Sequence, residues 1–72
     1  MTTTFHTINT AVHAAEGREH TNRENLGFRQ EDLNNLGRYG YTLVSTVTVP
    51  EADGVTRLID TLMRIEEDTE PR

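Results

Sequence analysis

The pattern of apolar and polar positions predicts strands at both ends of the chain and a polar region between them. Residues 3–13 (TTFHTINTAVH) are rich in Thr, Ile, Val and Phe and contain no Gly or Pro, which favours a strand. Residues 41–49 (YTLVSTVTV) give the strongest strand prediction, because nearly all of them are β-branched, aromatic or aliphatic. Residues 55–65 (VTRLIDTLMRI) follow a turn at 50–54 that starts with Pro and ends with Gly. This short connection favours an antiparallel hairpin.

The polar region contains one short predicted helix. Residues 28–38 (FRQEDLNNLGR) place Phe28, Leu33 and Leu36 on one side of a helix, and Gly37 is a natural stop. Residues 14–27 hold a single large apolar residue, so we expect a long polar connection there, most mobile over Ala15–Gly27.

An earlier helix start is the alternative, because Thr21 and Glu24 have the spacing of a capping box. Gly27 would then lie inside the helix, at a cost of roughly 1 kcal/mol relative to Ala. The later start is therefore favoured. The order predicts an α+β fold, β-α-β-β, in one domain (1–72). It has a three-stranded, mainly antiparallel sheet, one short helix on one face, and a frayed acidic tail at 66–72.

The predicted hairpin has two unequal faces. With Val49 opposite Val55, the more apolar face carries residues such as Leu43 and Ile59, and we expect the helix to cover it. The other face still carries three large aliphatic residues, Val44, Leu58 and Leu62. One helix covers only one face of a sheet, so these three residues are predicted to form a subunit interface.

Size and charge narrow the functional classes. A chain of 72 residues without Cys has a small core and no disulfide, which favours a homodimer or a higher oligomer. Twelve acidic and seven basic residues give a net charge of −5, so we expect no nucleic-acid partner. No apolar run is long enough for a membrane span, and the N-terminus does not resemble a secretory signal. We therefore expect a cytoplasmic protein without a membrane partner.

Catalytic and cofactor-binding signatures are missing from the sequence. It has no Cys nucleophile, no G-x-S-x-G elbow and no Gly-rich phosphate loop, so we predict no catalytic residues, no cofactor and no enzymatic activity. The segment from His13 to His20 contains metal-ligand residue types but matches no metalloprotease spacing, so no metal site is predicted.

A small anionic ligand is the second functional hypothesis. Arg18, Arg23 and Arg29 lie in or beside the polar region, and loops from two subunits could form a nucleotide-binding pocket from them. Tyr41 adds a hydroxyl at the end of the sheet. The alternative interpretation is a solvated surface whose alternating charges pair with one another.

The stretch LNNLGRYGYTLVSTV (33–47) resembles the core signature of a family of small bacterial and phage domains of unknown function, number 4177. Members typically read L-x-x-L-G-x-x-G-W-E-L-V-S-V, and seven positions match: Leu33, Leu36, Gly37, Gly40, Leu43, Val44 and Ser45. Tyr41 stands in place of the usual Trp, and Thr42 in place of the acidic residue. The resemblance implies a β-α-β-β fold and no agreed activity.

Dodecins, small flavin-binding dodecamers, show a weaker likeness in element order and acidic C-terminus. They stack their flavin on a Trp that this chain lacks. We therefore predict a non-enzymatic, homo-oligomeric binding or interaction domain of unknown ligand. Sequestration of an anionic ligand and dodecin-like cofactor storage are the alternatives.

Overall fold

The computed structural model of the chain describes residues 1–66. It has three strands and one long helix in the order β-α-β-β, which confirms the predicted α+β fold. The elements are β1 (Thr2–His13), α1 (Glu19–Arg38), β2 (Thr42–Pro50) and β3 (Val55–Glu66), with a single 3-10 turn at Ala52–Gly54 before β3.

β3 is the central strand of an antiparallel sheet with the order β1-β3-β2. In the hairpin, Val49 lies opposite Arg57 rather than Val55, which shifts the predicted register by two residues and leaves the side-chain faces unchanged there. The hairpin connection closes through the Glu51 N–H, which donates to the Val55 carbonyl at 2.7 Å. Because β3 is the central strand, β1 and β2 form the two edges of the sheet.

α1 starts nine residues earlier than predicted. It begins at Glu19, so the connection after β1 is only residues 14–18, and the expected mobile segment at Ala15–Gly27 is mostly helical. The expectation was wrong because side-chain amides, rather than an apolar stripe, attach the first turns of the helix to β1. Gly27 faces open space, with no atom within 4 Å of the position of an added Cβ.

The end of α1 follows the sequence more closely. The helix ends at Arg38, and Gly40 has a φ of 88°, a left-handed conformation that favours Gly. This residue reverses the chain into β2.

The helix covers the opposite face of the sheet from the one predicted. Ile8 and Leu62, 5% and 2% exposed, are the only fully buried large apolar residues within 1–66, and both lie on the helix side. Asp60 lies opposite Ile8 and two residues before Leu62 on β3, and it is completely buried. The more apolar face of the sheet is left uncovered.

A β-bulge and a buried ion pair explain this difference. The register of β2 shifts between Leu43 and Ser45, so Leu43 lies opposite Leu62 and moves to the helix side. Val44, Leu58 and Leu62, predicted as a subunit interface on one uncovered face, do not share an exposed face in the structure. Leu62 is buried beneath the helix, Leu58 is half-buried on the same side, and Val44 is exposed at the bulge.

The predicted acidic tail lies outside the described residues, except for Glu66, which ends β3. Within residues 1–66, the helix is too polar to span a lipid bilayer.

Candidate functional site

Asp60 is the centre of the covered face. Its carboxylate accepts two hydrogen bonds from Arg29, from Nε at 2.7 Å and from NH2 at 2.9 Å. A third comes from the Thr46 hydroxyl at 2.7 Å. The side chain of Arg29 is one-quarter exposed, whereas that of Asp60 is fully buried. The forked geometry joins α1 to β3, and the hydroxyl adds β2, so one carboxylate connects three elements.

The charged state of this pair is stabilised by its hydrogen bonds. Those from Arg29, together with the Thr46 hydroxyl, hold the pKa of Asp60 below its usual value, although burial acts in the opposite direction. The same interaction raises the pKa of Arg29. Sequence reasoning missed Asp60, yet a signal was present: it shares its strand face with Leu58 and Leu62, and a carboxylate between two leucines needs a partner.

Two asparagines of α1 attach the helix to the outer edge of β1. The Asn22 amide accepts from the His13 N–H and donates to the His13 carbonyl, both at 2.7 Å. Asn25 donates to the Ala11 carbonyl at 2.9 Å. The Asn22 side chain thus takes the place of the next strand's peptide group and satisfies backbone groups that an edge strand leaves free.

The predicted arginine pocket is not assembled in the single chain. Arg29 is committed to Asp60. Arg18 and Arg23 are exposed, and Arg18 lies eleven residues before Arg29, roughly 16 Å along a helix axis. Arg23 is rotated away from Arg29 by roughly 120°. Within one chain the three arginines therefore do not converge, and a pocket formed by two subunits stays a prediction.

Tyr41 lies at the opposite end of α1 from Arg18. Its ring makes an edge contact with His6 at 6.0 Å between centroids, and the Arg64 guanidinium lies 5.0 Å from the ring centre. Arg64 also donates to the Tyr39 carbonyl at 3.2 Å and passes 3.5 Å from the position of a Cβ on Gly40. Tyr41 therefore belongs to a cluster that holds the α1–β2 connection on the sheet.

A cavity of about 270 Å³ lies where α1 meets the edge of β1. Its lining consists of Ile8, Asn9, Thr10, Ala11, Asn25, Phe28, Arg29, Asp32 and Arg57. Both arginines are engaged, since Arg57 donates to Glu51 at 3.0 Å and to Asn9 at 3.2 Å. The charged side chains here are the two arginines, their partners Asp60 and Glu51, and Asp32. They give two positive and three negative charges. This balance does not favour an anion.

No metal site is formed by the described residues. Within 1–66, no three His, Asp or Glu side chains come together in a way that could hold an ion. The segment from His13 to His20 runs from the last residue of β1 into the first turn of α1. There His20 pairs with Glu24 at 3.6 Å.

The uncovered face of the sheet, called the open face below, has no helix or strand packed on it within residues 1–66. It is formed by the odd-numbered residues of β1 and β3 and by Thr42, Ser45, Val47 and Val49 of β2. Phe5, Val47 and Ile65 are 61%, 52% and 52% exposed, and Ile59 and Met63 are half-buried. Arg57 is the only Arg, Asp or Glu on this face between residues 3 and 65.

No known protein family matches the sequence, and neither a curated protein nor a solved structure shows significant similarity to the chain. The resemblance of residues 33–47 to family 4177, and the likeness to dodecins, remain predictions. The functional proposal below therefore depends on the chain's own surfaces.

Proposed function

We propose that this chain is a non-enzymatic, self-associating binding or interaction domain, and that its copies meet through the open face. The distribution of apolar residues carries the proposal. Two large apolar side chains are fully buried within residues 1–66, whereas Phe5, Val47 and Ile65 are more than half exposed on one continuous face. A second copy covering this face would supply the core that the single chain lacks.

The area of the open face suits such a contact. Three strands spaced about 4.8 Å apart, with the longest extending over 12 residues, give a face of roughly 14 by 40 Å. Its outline of roughly 560 Å² approaches the ~800 Å² that each partner buries in a standard interface. Polar side chains such as Thr7 and Thr61 occupy part of this outline, so the apolar patch is smaller than the whole face.

The charges of the open face also permit self-contact. Arg57 already pairs with Glu51, so two apposed faces would not bring unpaired charges together. The remaining polar side chains of the face are mostly threonines, such as Thr7 and Thr61, which form a directly opposed cross-strand pair. The binding partner favoured by this surface is another copy of the chain.

The experiment compares two charge substitutions on β1. Phe5→Asp places a carboxylate on the open face, and Thr2→Asp places one on the other side of the same strand. We expect light scattering at micromolar concentration to give the wild type at least twice the 8.2 kDa chain mass. Phe5→Asp should lose at least half of the wild-type mass, and Thr2→Asp should keep it.

Circular dichroism checks that the variants are folded, and Phe5→Thr gives a milder test if Phe5→Asp unfolds. A wild type that stays at the mass of one chain would refute self-association. A Phe5→Asp protein that is folded and keeps the wild-type mass would remove the open face from the interface.

A further inference from the structure

We propose that the free edge of β2 forms a second self-association surface, on which β2 of another copy adds antiparallel to continue the sheet. The inference goes beyond the open-face contact, because it uses backbone groups at the sheet edge rather than side chains on its face. β2 is the last strand in the order β1-β3-β2, and all nine of its residues are exposed.

The register identifies the backbone groups at this edge. Asn22 and Asn25 reach the backbone of His13 and Ala11, so the odd residues of β1 direct their N–H and C=O groups away from β3. In a non-hydrogen-bonded pair of an antiparallel sheet, the N–H and C=O groups of both residues point away from each other. Ala11 and Arg57 form such a pair, so the backbone groups of Arg57 point to β2.

The alternation then continues into β2. Arg57 and Ile59 bond Val49 and Val47, which leaves the N–H and C=O groups of Thr46 and Thr48 directed away from the sheet. Pro50 follows the same alternation at an outward position, where its missing N–H costs no hydrogen bond within the sheet. The free edge therefore offers donors and acceptors at alternate residues.

The two edges of the sheet differ in protection. The C-terminal end of β1 is closed by side-chain amides of α1. β2 has no charged residue between 42 and 50, although 26% of the chain is charged. Natural edge strands usually carry charges that prevent pairing, and β2 relies only on the bulge and on Pro50 at its end.

A second β2 is the occupant that this edge suits best. Two uncharged strands related by a two-fold axis pair without opposing like charges, and their outward groups are complementary by symmetry. α1 packs mainly over β1 and has little contact with β2, so it does not overhang the edge. The pairing would form a continuous six-stranded sheet with a helix over each outer part.

Amide hydrogen exchange tests the edge directly. In a sheet that ends at β2, the Thr46 and Thr48 amides exchange quickly, whereas in the paired form they are protected, more strongly at higher protein concentration. Contact through the open face alone leaves them unprotected. Fast exchange at both residues in the associated wild type would therefore overturn the edge proposal and leave the open-face proposal standing.

Substitutions give an independent measure of the same edge. Thr48→Pro removes an outward N–H, whereas its matched control Thr48→Val keeps the N–H and the β-branched shape. With both surfaces in use, light scattering should give the wild type at least four chains. Thr48→Pro and Phe5→Asp should each give about half that mass, and the double variant one chain. Equal masses for folded Thr48→Pro and Thr48→Val would contradict the proposal.

Discussion

The two faces of the sheet reverse the usual arrangement of a small domain. The covered face has a buried carboxylate, Asp60, at its centre, held by Arg29 and Thr46. The open face presents Phe5 and Val47 to solvent and has no carboxylate between residues 3 and 65. A polar network therefore lies at the centre of the covered face, and large apolar side chains are exposed on the open face.

The covered face and the open face therefore have different roles. Directional hydrogen bonds from Arg29 and Asn22 fix where α1 lies on the sheet, because each requires a defined geometry. Apolar burial is non-directional and supplies most of the stabilisation in protein association. The covered face thus gives the helix its position, while the open face is suited to stabilising an assembly. The predictions below test the covered face, in order of decreasing effect.

The largest effect is expected from Arg29→Met. The substitution keeps a long side chain but leaves the carboxylate of Asp60 buried without its cation, which costs about 3–5 kcal/mol. Urea unfolding at one fixed protein concentration measures the loss. Arg23→Met is the matched control on an exposed position of the same helix, where we expect a change within about 0.5 kcal/mol. Equal free energies of unfolding for the two variants would show that the buried pair does not hold the helix.

Acid should weaken the covered face by a smaller amount. The pKa of Asp60 is lowered in the folded chain, so its contribution to stability is present above the unfolded value, about 3.9, and is lost as the pH falls through the folded value. Protonated Asp60 still accepts hydrogen bonds, so the loss is less than in Arg29→Met. We expect the melting temperature of the wild type to fall more steeply below about pH 4 than that of Asp60→Asn. Parallel curves would contradict this assignment.

The smallest effect is expected from Asn22→Ala. It removes two hydrogen bonds to the backbone of His13, each contributing about 0.5–1.5 kcal/mol. Asn34→Ala, on an exposed position of α1, is the control because it has the same gain in helix propensity. We expect Asn22→Ala to be less stable than the control by about 1–2 kcal/mol and to exchange the His13 amide faster. Identical stabilities would mean that water replaces Asn22 at the edge without cost.

The strands and the hairpin could be predicted because their β-branched composition acts locally. The early start of α1 was only the less favoured alternative, from the spacing of Thr21 and Glu24, since residues 19–27 lack an apolar stripe. Its sheet-facing positions are Asn22, Asn25, Arg29, Leu33 and Leu36, half-exposed at helical spacings of three and four. The first three are polar, so a search for apolar periodicity passes over them. An inward stripe of amides and a guanidinium is recognised only once its backbone and carboxylate partners are known.

The face of the sheet that α1 covers depends on two features that the pattern of apolar and polar residues does not show. The bulge between Leu43 and Ser45 moves Leu43 to the other side of the sheet, and no Gly marks its position. The partner of Asp60 lies 31 residues away along the chain, and any of seven arginines could have filled that role. The helix was therefore predicted on the wrong face, and Leu58 and Leu62, which were expected to be uncovered, lie on the helix side.

The amide of Asn22 has a consequence for how far a sheet of this kind can extend. A sheet with two free edges can add strands of other copies on both sides, and such growth has no fixed end. Here the side chain of Asn22 occupies the N–H and C=O groups of His13, so the edge of β1 is closed at its C-terminal end. At that end of the sheet, a strand of another copy would find no free backbone group on His13 to pair with. One asparagine thereby acts against edge-to-edge pairing at this end of β1.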